Sequence, residues 1–267
     1  ELTMDDLIFA ACRGGWPASI LFDDKEAQLL IAKDYFEQIY TTDIFSVDEK
    51  NRNPELMKAV LKSYARNIST LAKKKSLIED ISGTNSISEP TIDDYIDVLE
   101  RLYIVEDLYG WCPSIRSAYA MRSGRKREFV DPSIAVAALG LSPQKLRLDL
   151  NTFGFIFETL CIRDLRVYTS ILDGKIKYYR DKDGLECDAI ITFDDDRYVL
   201  VEIKLGSYGI EEGAIHLNKI EELIIEKNKN NEKQTNLPSA KIILTASEYG
   251  YKREDGIYVI PIGCLKD

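Results

Sequence analysis

Between Leu150 and Ile260 the hydrophobic pattern changes period in a fixed order, and that order leaves few folds open. Leu150 to Val167 repeats apolar residues at helical spacing (Phe153, Phe157, Leu160, Leu165). Three strand-like runs follow: Lys175 to Arg180, Leu185 to Phe193 and Tyr198 to Leu205, with Asp194-Asp195-Asp196 as the turn between the last two. Glu211 to Lys227 returns to helical spacing, with Leu217, Ile220, Leu223 and Ile224 inward. Lys241 to Thr245 and Ile257 to Ile260 are late strands, and Asn228 to Asn236 is a polar loop. Helix, three strands, helix, strand, strand predicts a mixed sheet flanked by helices.

The preceding half has a different texture. Gly14-Gly15-Trp16-Pro17 is a turn signal, and Glu26 to Tyr40 is helical (Leu29, Leu30, Tyr35, Phe36, Ile39). After the break at Asn51-Arg52-Asn53-Pro54, a helix is predicted from Glu55 (Leu56, Val60, Leu61, Tyr64, Ile68). A short one follows around Leu77 to Ile81, ended by Gly83-Thr84-Asn85. A third opens at Ser88-Glu89-Pro90-Thr91 and runs to about Leu102, with Ser88 as N-cap. Tyr103 to Leu108 and Lys126 to Val130 then read as two strands around a basic loop. Three helices and a two-stranded wing is the order of a winged helix-turn-helix. The expected organisation is α+β and α/β: a helical lead-in over 1–54, a winged helix over 55–141 and the sheet domain over 142–267.

Composition narrows the function. At 45% hydrophobic and 30% charged, the chain suits soluble globular domains, and it holds no run of about eighteen apolar residues and no signal-peptide order at Glu1 to Asp6. Membrane spanning and classical secretion are not expected. Five dispersed cysteines (Cys12, Cys112, Cys161, Cys187, Cys264) and a single His216 disfavour a zinc domain, a disulfide scaffold and a histidine triad, and fit a reducing cytoplasm. A net charge of −10 restricts any polynucleotide contact to a local patch. The chain opens at Glu1, not at methionine, which suggests a piece of a longer protein.

Alternation along a strand places Glu186 and Asp188 on one side with Cys187 on the other, and gives Glu202 and Lys204 a common face. If the Asp194 to Asp196 turn pairs the two strands, Asp188 and Glu202 meet near one end of the sheet beside Lys204. Two or three hard oxygens suit Mg²⁺, with Mn²⁺ as a substitute, and the ammonium would orient water or neutralise charge on a phosphate. The same spacing also fits a polar sheet face with an internal salt bridge.

Glu158 on its helix, then Asp188, then Glu202-Ile203-Lys204 is similar to the PD-(D/E)XK restriction-endonuclease-like superfamily, whose core is an α-β-β-β-α-β unit. The whole chain resembles, more closely, the C-terminal region of predicted prokaryotic AAA-type ATPases. The carrying segments are Gly14-Gly15-Trp16-Pro17, Thr91-x-x-x-Tyr95, Lys126-x-x-Phe129-x-Asp131, Phe153-Gly154-x-x-Phe157-Glu158 and Arg180-x(5)-Glu186-Cys187-Asp188. In that family a P-loop ATPase precedes a winged helix and a nuclease-like domain of unknown function. The resemblance implies a partner ATPase domain N-terminal to this chain and Asp188, Glu202 and Lys204 as the catalytic set. Asp188, Glu202 and Glu158 would be metal ligands, with Glu186 and Arg180 in support. Glu158 has an alternative as the partner of Arg163 or Arg180. No G-x-x-x-x-G-K-[ST] run exists, so no ATP site is expected in this chain. Phosphodiester hydrolysis is one implied role; a non-catalytic adaptor or regulatory module of the ATPase is the other.

Charge tests the winged helix. Its third helix carries Glu89, Asp93, Asp94, Asp97 and Glu100 against Arg101 alone, which repels duplex DNA. Arg116, Arg122, Arg125, Lys126 and Arg127 in or beside the wing are the candidates for gripping a phosphate backbone or an acidic protein face; the overall charge favours the protein. His216 reads as a surface residue, Trp16 and Trp111 as packing, and Asp194 to Asp196 as a solvated turn.

Overall fold

The computed structural model describes residues 2–82, 87–113, 124–229 and 235–266. The chain forms two compact units. One comprises residues 5–107 and 124–160, the other residues 1–4, 108–123 and 161–267.

The first unit is helical: α1 (Met4–Arg13), α2 (Pro17–Ile20), α3 (Lys25–Thr41), α4 (Pro54–Arg66), α5 (Lys74–Ser82), α6 (Glu89–Arg101), α7 (Pro132–Ala138), α8 (Pro143–Leu148) and the first half of α9 (Leu150–Ser170). Local chemistry sets several starts. Asn53, Ser88, Asp131 and Ser142 each accept a backbone N–H of the first turn, and a proline in that turn has no N–H to leave unpaired. The expected strands Tyr103 to Leu108 and Lys126 to Val130 are isolated bridges and not continuous strands; Val105↔Phe129 is antiparallel, flanked by Glu106 N–H to Glu128 O and Val130 N–H to Ile104 O. The reason is competition for backbone partners: Arg127 instead exchanges N–H and C=O with Thr70 and Ser69. Gly83-Thr84-Asn85 lies outside the described residues.

The second unit is built on a six-stranded mixed sheet ordered β1-β2-β3-β4-β6-β5. Its strands are β1 (Lys175–Arg180), β2 (Glu186–Thr192), β3 (Tyr198–Lys204), β4 (Ala240–Thr245), β5 (Tyr251–Lys252) and β6 (Tyr258–Pro261). β1, β2 and β3 form an antiparallel meander, and β3 runs parallel to β4. That parallel pairing needs a crossover, which α10 (Ile210–Lys229) supplies. Ala214, Leu217, Ile220 and Ile224 of α10 pack with Cys187, Ile190, Leu200, Ile243 and Val259 of the sheet. Trp111 joins this core, its ring 4.8 Å from Tyr198, and its backbone N–H donates to the backbone carbonyl of Tyr178. Asp194 to Asp196 form an exposed turn, with Asp196 at φ 63°. No helix among the described residues is long and apolar enough to cross a membrane.

Candidate functional site

The register of β2 on β3 runs to Ala189↔Val201, and one position further along lie Asp188 and Glu202. There the ladder gives way to a side chain: Asp188 Oδ2 accepts the backbone N–H of Ile203 at 2.8 Å, between Glu202 and Lys204. Glu202 is only 1% exposed, and Lys204 Nζ stands 2.7 Å from its Oε2. Burial works against the Lys204 charge. The carboxylates of Asp188 and Glu202, and to a smaller extent Glu212, outweigh that penalty and hold its pKa above the ordinary lysine value. Lys204 is therefore an ammonium at neutral pH, a donor to anionic oxygen and not a base.

Two glycines make room for this cluster. A Cβ on Gly209 would lie 3.0 Å from Lys204 Cδ. A Cβ on Gly213, one turn into α10, would lie 3.3 Å from Lys204 Cε and 3.4 Å from Glu202 Cβ. The helix approaches the strand closely because it has no side chain there. His216, on the next turn, places Nδ1 3.7 Å from Glu202 Oε1. His216 is about one-third exposed, with its ring on the side of the cluster. The signal was available in outline, since a helix that crosses over from the Glu202 strand must lay one face on it, but the phase of that face is set by packing. Cys187, beside Asp188, is fully enclosed; burial first, then the Glu202 and Asp188 charges, push its thiol well above the ordinary range.

The structure thus brings Asp188, Glu202 and Lys204 together. Glu186 and Arg180 are cross-strand partners on β2 and β1 and form an ion pair, both about half exposed. Glu158 sits in the first unit, ion-paired with Lys126. No group of three or more His, Cys, Asp or Glu side chains placed to hold a metal ion occurs among the described residues. The donor set of Asp188 and Glu202 is two hard oxygen groups with a net negative charge beside Lys204. It fits a Mg²⁺ ion that keeps most of its waters and does not fit a fully protein-coordinated one.

The basic residues at the wing are corrected in part. Lys126 is 6% and Arg127 5% exposed, so neither faces solvent. Arg127 Nη1 donates to Asp107 Oδ2 at 2.6 Å and its Nε to Ala72 O, while Asp107 also takes Glu128 N–H and the Tyr64 hydroxyl. A buried guanidinium needs such partners, and satisfying them removes it from the surface. Arg125 is half exposed and pairs with Glu100 at 2.6 Å. Arg116 and Arg122 lie outside the described residues. The acids of α6 are also engaged: Asp94 with Arg52 and Lys50, Asp93 with Lys74.

The Gly14-Gly15-Trp16-Pro17 and Asp131 segments form one unit of contacts. Gly14 adopts φ +76°, Gly15 N–H donates to Asp131 Oδ2 at 2.9 Å and Trp16 Nε1 donates to Ser133 Oγ at 2.9 Å. Trp16 also packs on Tyr35, so it is a packing residue.

No curated protein matches the chain. Residues 153–265, which span the sheet and its flanking helices, match the family model of a domain of unknown function, DUF4143. Residues 4–145 match the family model of another domain of unknown function, DUF8612, and because that match spans more than half of the chain, the protein belongs to the DUF8612 family.

Proposed function

We infer that the chain is the C-terminal, nuclease-like module of a prokaryotic AAA-type ATPase, with Asp188, Glu202 and Lys204 as a phosphodiester-hydrolysing site. The observation that carries this reading is the buried Glu202 carboxylate, paired to Lys204 and adjoining Asp188 at the end of two neighbouring strands. The element order α9, β1, β2, β3, α10, β4 supports a restriction-endonuclease-like core. The succession α4, α5, α6 and the Val105↔Phe129 bridge supports a winged helix. Asp188 and Glu202 would hold Mg²⁺, with Mn²⁺ as a substitute; when bound, the ion neutralises phosphate charge and activates water. Ile203 N–H fixes the Asp188 carboxylate, and the protonated Lys204 donates to a phosphate oxygen or positions the attacking water. Five free thiols are compatible with a reducing cytoplasm.

The non-catalytic adaptor reading has its own support: Lys204 and His216 already face the two oxygens of Glu202, and an acidic α6 suits a protein partner better than a duplex. Cleavage assays on single- and double-stranded DNA and RNA with Mg²⁺ and Mn²⁺ separate the two. Hydrolysis lost in folded Asp188→Ala, Glu202→Ala and Lys204→Ala variants supports the enzyme. No cleavage by a protein that calorimetry shows to bind the metal overturns it.

A further inference from the structure

A second feature of the sheet unit lies away from the carboxylate–lysine cluster. A cavity of about 240 Å³ opens between Tyr179 near the end of β1, Asp181 and Lys182 in the connection after it, the Cys112-Pro113 segment and α10 (Ile220, Leu223, Ile224, Lys227). Ile220 and Ile224 form its floor, at 1% and 3% exposed, and Leu223 stands at the mouth. An apolar concavity with a few polar groups at its edge is the usual form of a small-molecule site.

The edge has a charge preference. Asp181 Oδ1 is occupied by the backbone N–H groups of Asp183 and Leu185, both at 2.9 Å, so that oxygen holds the β1–β2 connection in place. Lys182 and Lys227 are exposed and make no ion pair with another described residue. Two ammonium groups against one committed carboxylate leave the mouth cationic above an apolar floor. The volume falls below the ~300–1,000 Å³ of a drug-sized pocket, so a short chain or a single ring fills it.

We propose that this cavity binds a small amphipathic anion, an apolar body of one short chain or ring carrying a carboxylate or phosphate head, with the body on Ile220 and Ile224 and the head between Lys182 and Lys227. The proposal stands independently of catalysis at Asp188, Glu202 and Lys204.

The protein carries two reporters. Trp111 lies 6.1 Å from the Tyr179 ring that lines the cavity. Cys112 lines it too, and apart from Cys264 the remaining cysteines are buried, so a Cys264→Ser chain directs an aqueous thiol reagent to Cys112. The probes are octanoate, octanol with the same body and no charge, and acetate with the head alone. Octanoate is expected to change tryptophan fluorescence and to slow Cys112 modification at the same concentrations, octanol to bind at least about fivefold more weakly, and acetate not at all. Lys182→Ala/Lys227→Ala should erase the difference between octanoate and octanol, and Leu223→Glu should weaken octanoate more than about tenfold. These side chains are exposed, and circular dichroism verifies the fold of each variant. Equal affinity for octanoate and octanol in the unsubstituted chain overturns the proposal, as does failure of octanoate to protect Cys112.

Discussion

Lys204 Nζ and Glu202 Oε2 lie 2.7 Å apart on alternate positions of β3, with the carboxylate the more deeply buried of the two. A buried ion pair costs most when one member is removed. Lys204→Met should therefore destabilise the chain by about 1–3 kcal/mol in urea denaturation, and Lys204→Met/Glu202→Leu should recover part of that loss. The pH dependence follows from the raised Lys204 pKa: its contribution is complete below the unfolded value near ~10.4 and is lost as pH rises through the higher folded value. Glu202→Gln should move the alkaline unfolding midpoint to lower pH.

Arg127 and Arg125 separate a structural cation from a surface one. Arg127→Ala leaves Asp107 buried without its guanidinium and should cost about 3–5 kcal/mol. Arg125→Ala loses a half-exposed pair with Glu100 and should change stability by less than about 1 kcal/mol. Denaturation curves showing the reverse order would remove the buried-network account.

Arg52, 4% exposed, holds the 48–52 segment on α6 through Asp48 at 2.7 Å and Asp94 at 2.9 Å. Hydrogen bonds from Arg52 lower both carboxyl pKa values, so their contribution is present above the unfolded value near ~3.9 and is lost as pH falls through the depressed folded values. Arg52→Ala should destabilise at pH 7 by about 1–2 kcal/mol, since water reaches both acids, and should flatten the loss of stability below pH ~4. Melting temperatures of both proteins across pH 2–7 check this.

Gly14 and Gly140 share a positive φ but not their surroundings. A Cβ at Gly14 would meet Ser133 Oγ at 2.5 Å and Asp131 Oδ1 at 2.7 Å, whereas one at Gly140 would meet open space. Gly140→Ala should cost about 1–2 kcal/mol from backbone strain alone, and Gly14→Ala clearly more. Equal losses on thermal melting would show that the Asp131 cradle yields freely.

The element order of the sheet unit was legible because it depends on local periods. Lys175 to Arg180 is β1, the next two runs are β2 and β3 within a residue or two, and the helix before β4 extends by one or two residues at each end. Strand alternation together with the short Asp194 to Asp196 turn also brought Asp188, Glu202 and Lys204 to one place. Tertiary structure alone decided which charges are inside. Lys126 and Arg127 look like Arg125 in sequence, yet they are buried because Glu158 and Asp107, 32 and 20 residues away, arrive opposite them. His216 meets Glu202 only because Gly213 lets α10 approach the strand. A residue's own period reports the local shape of the backbone; the partner that buries or neutralises it comes from a distant segment, and no local pattern records that meeting.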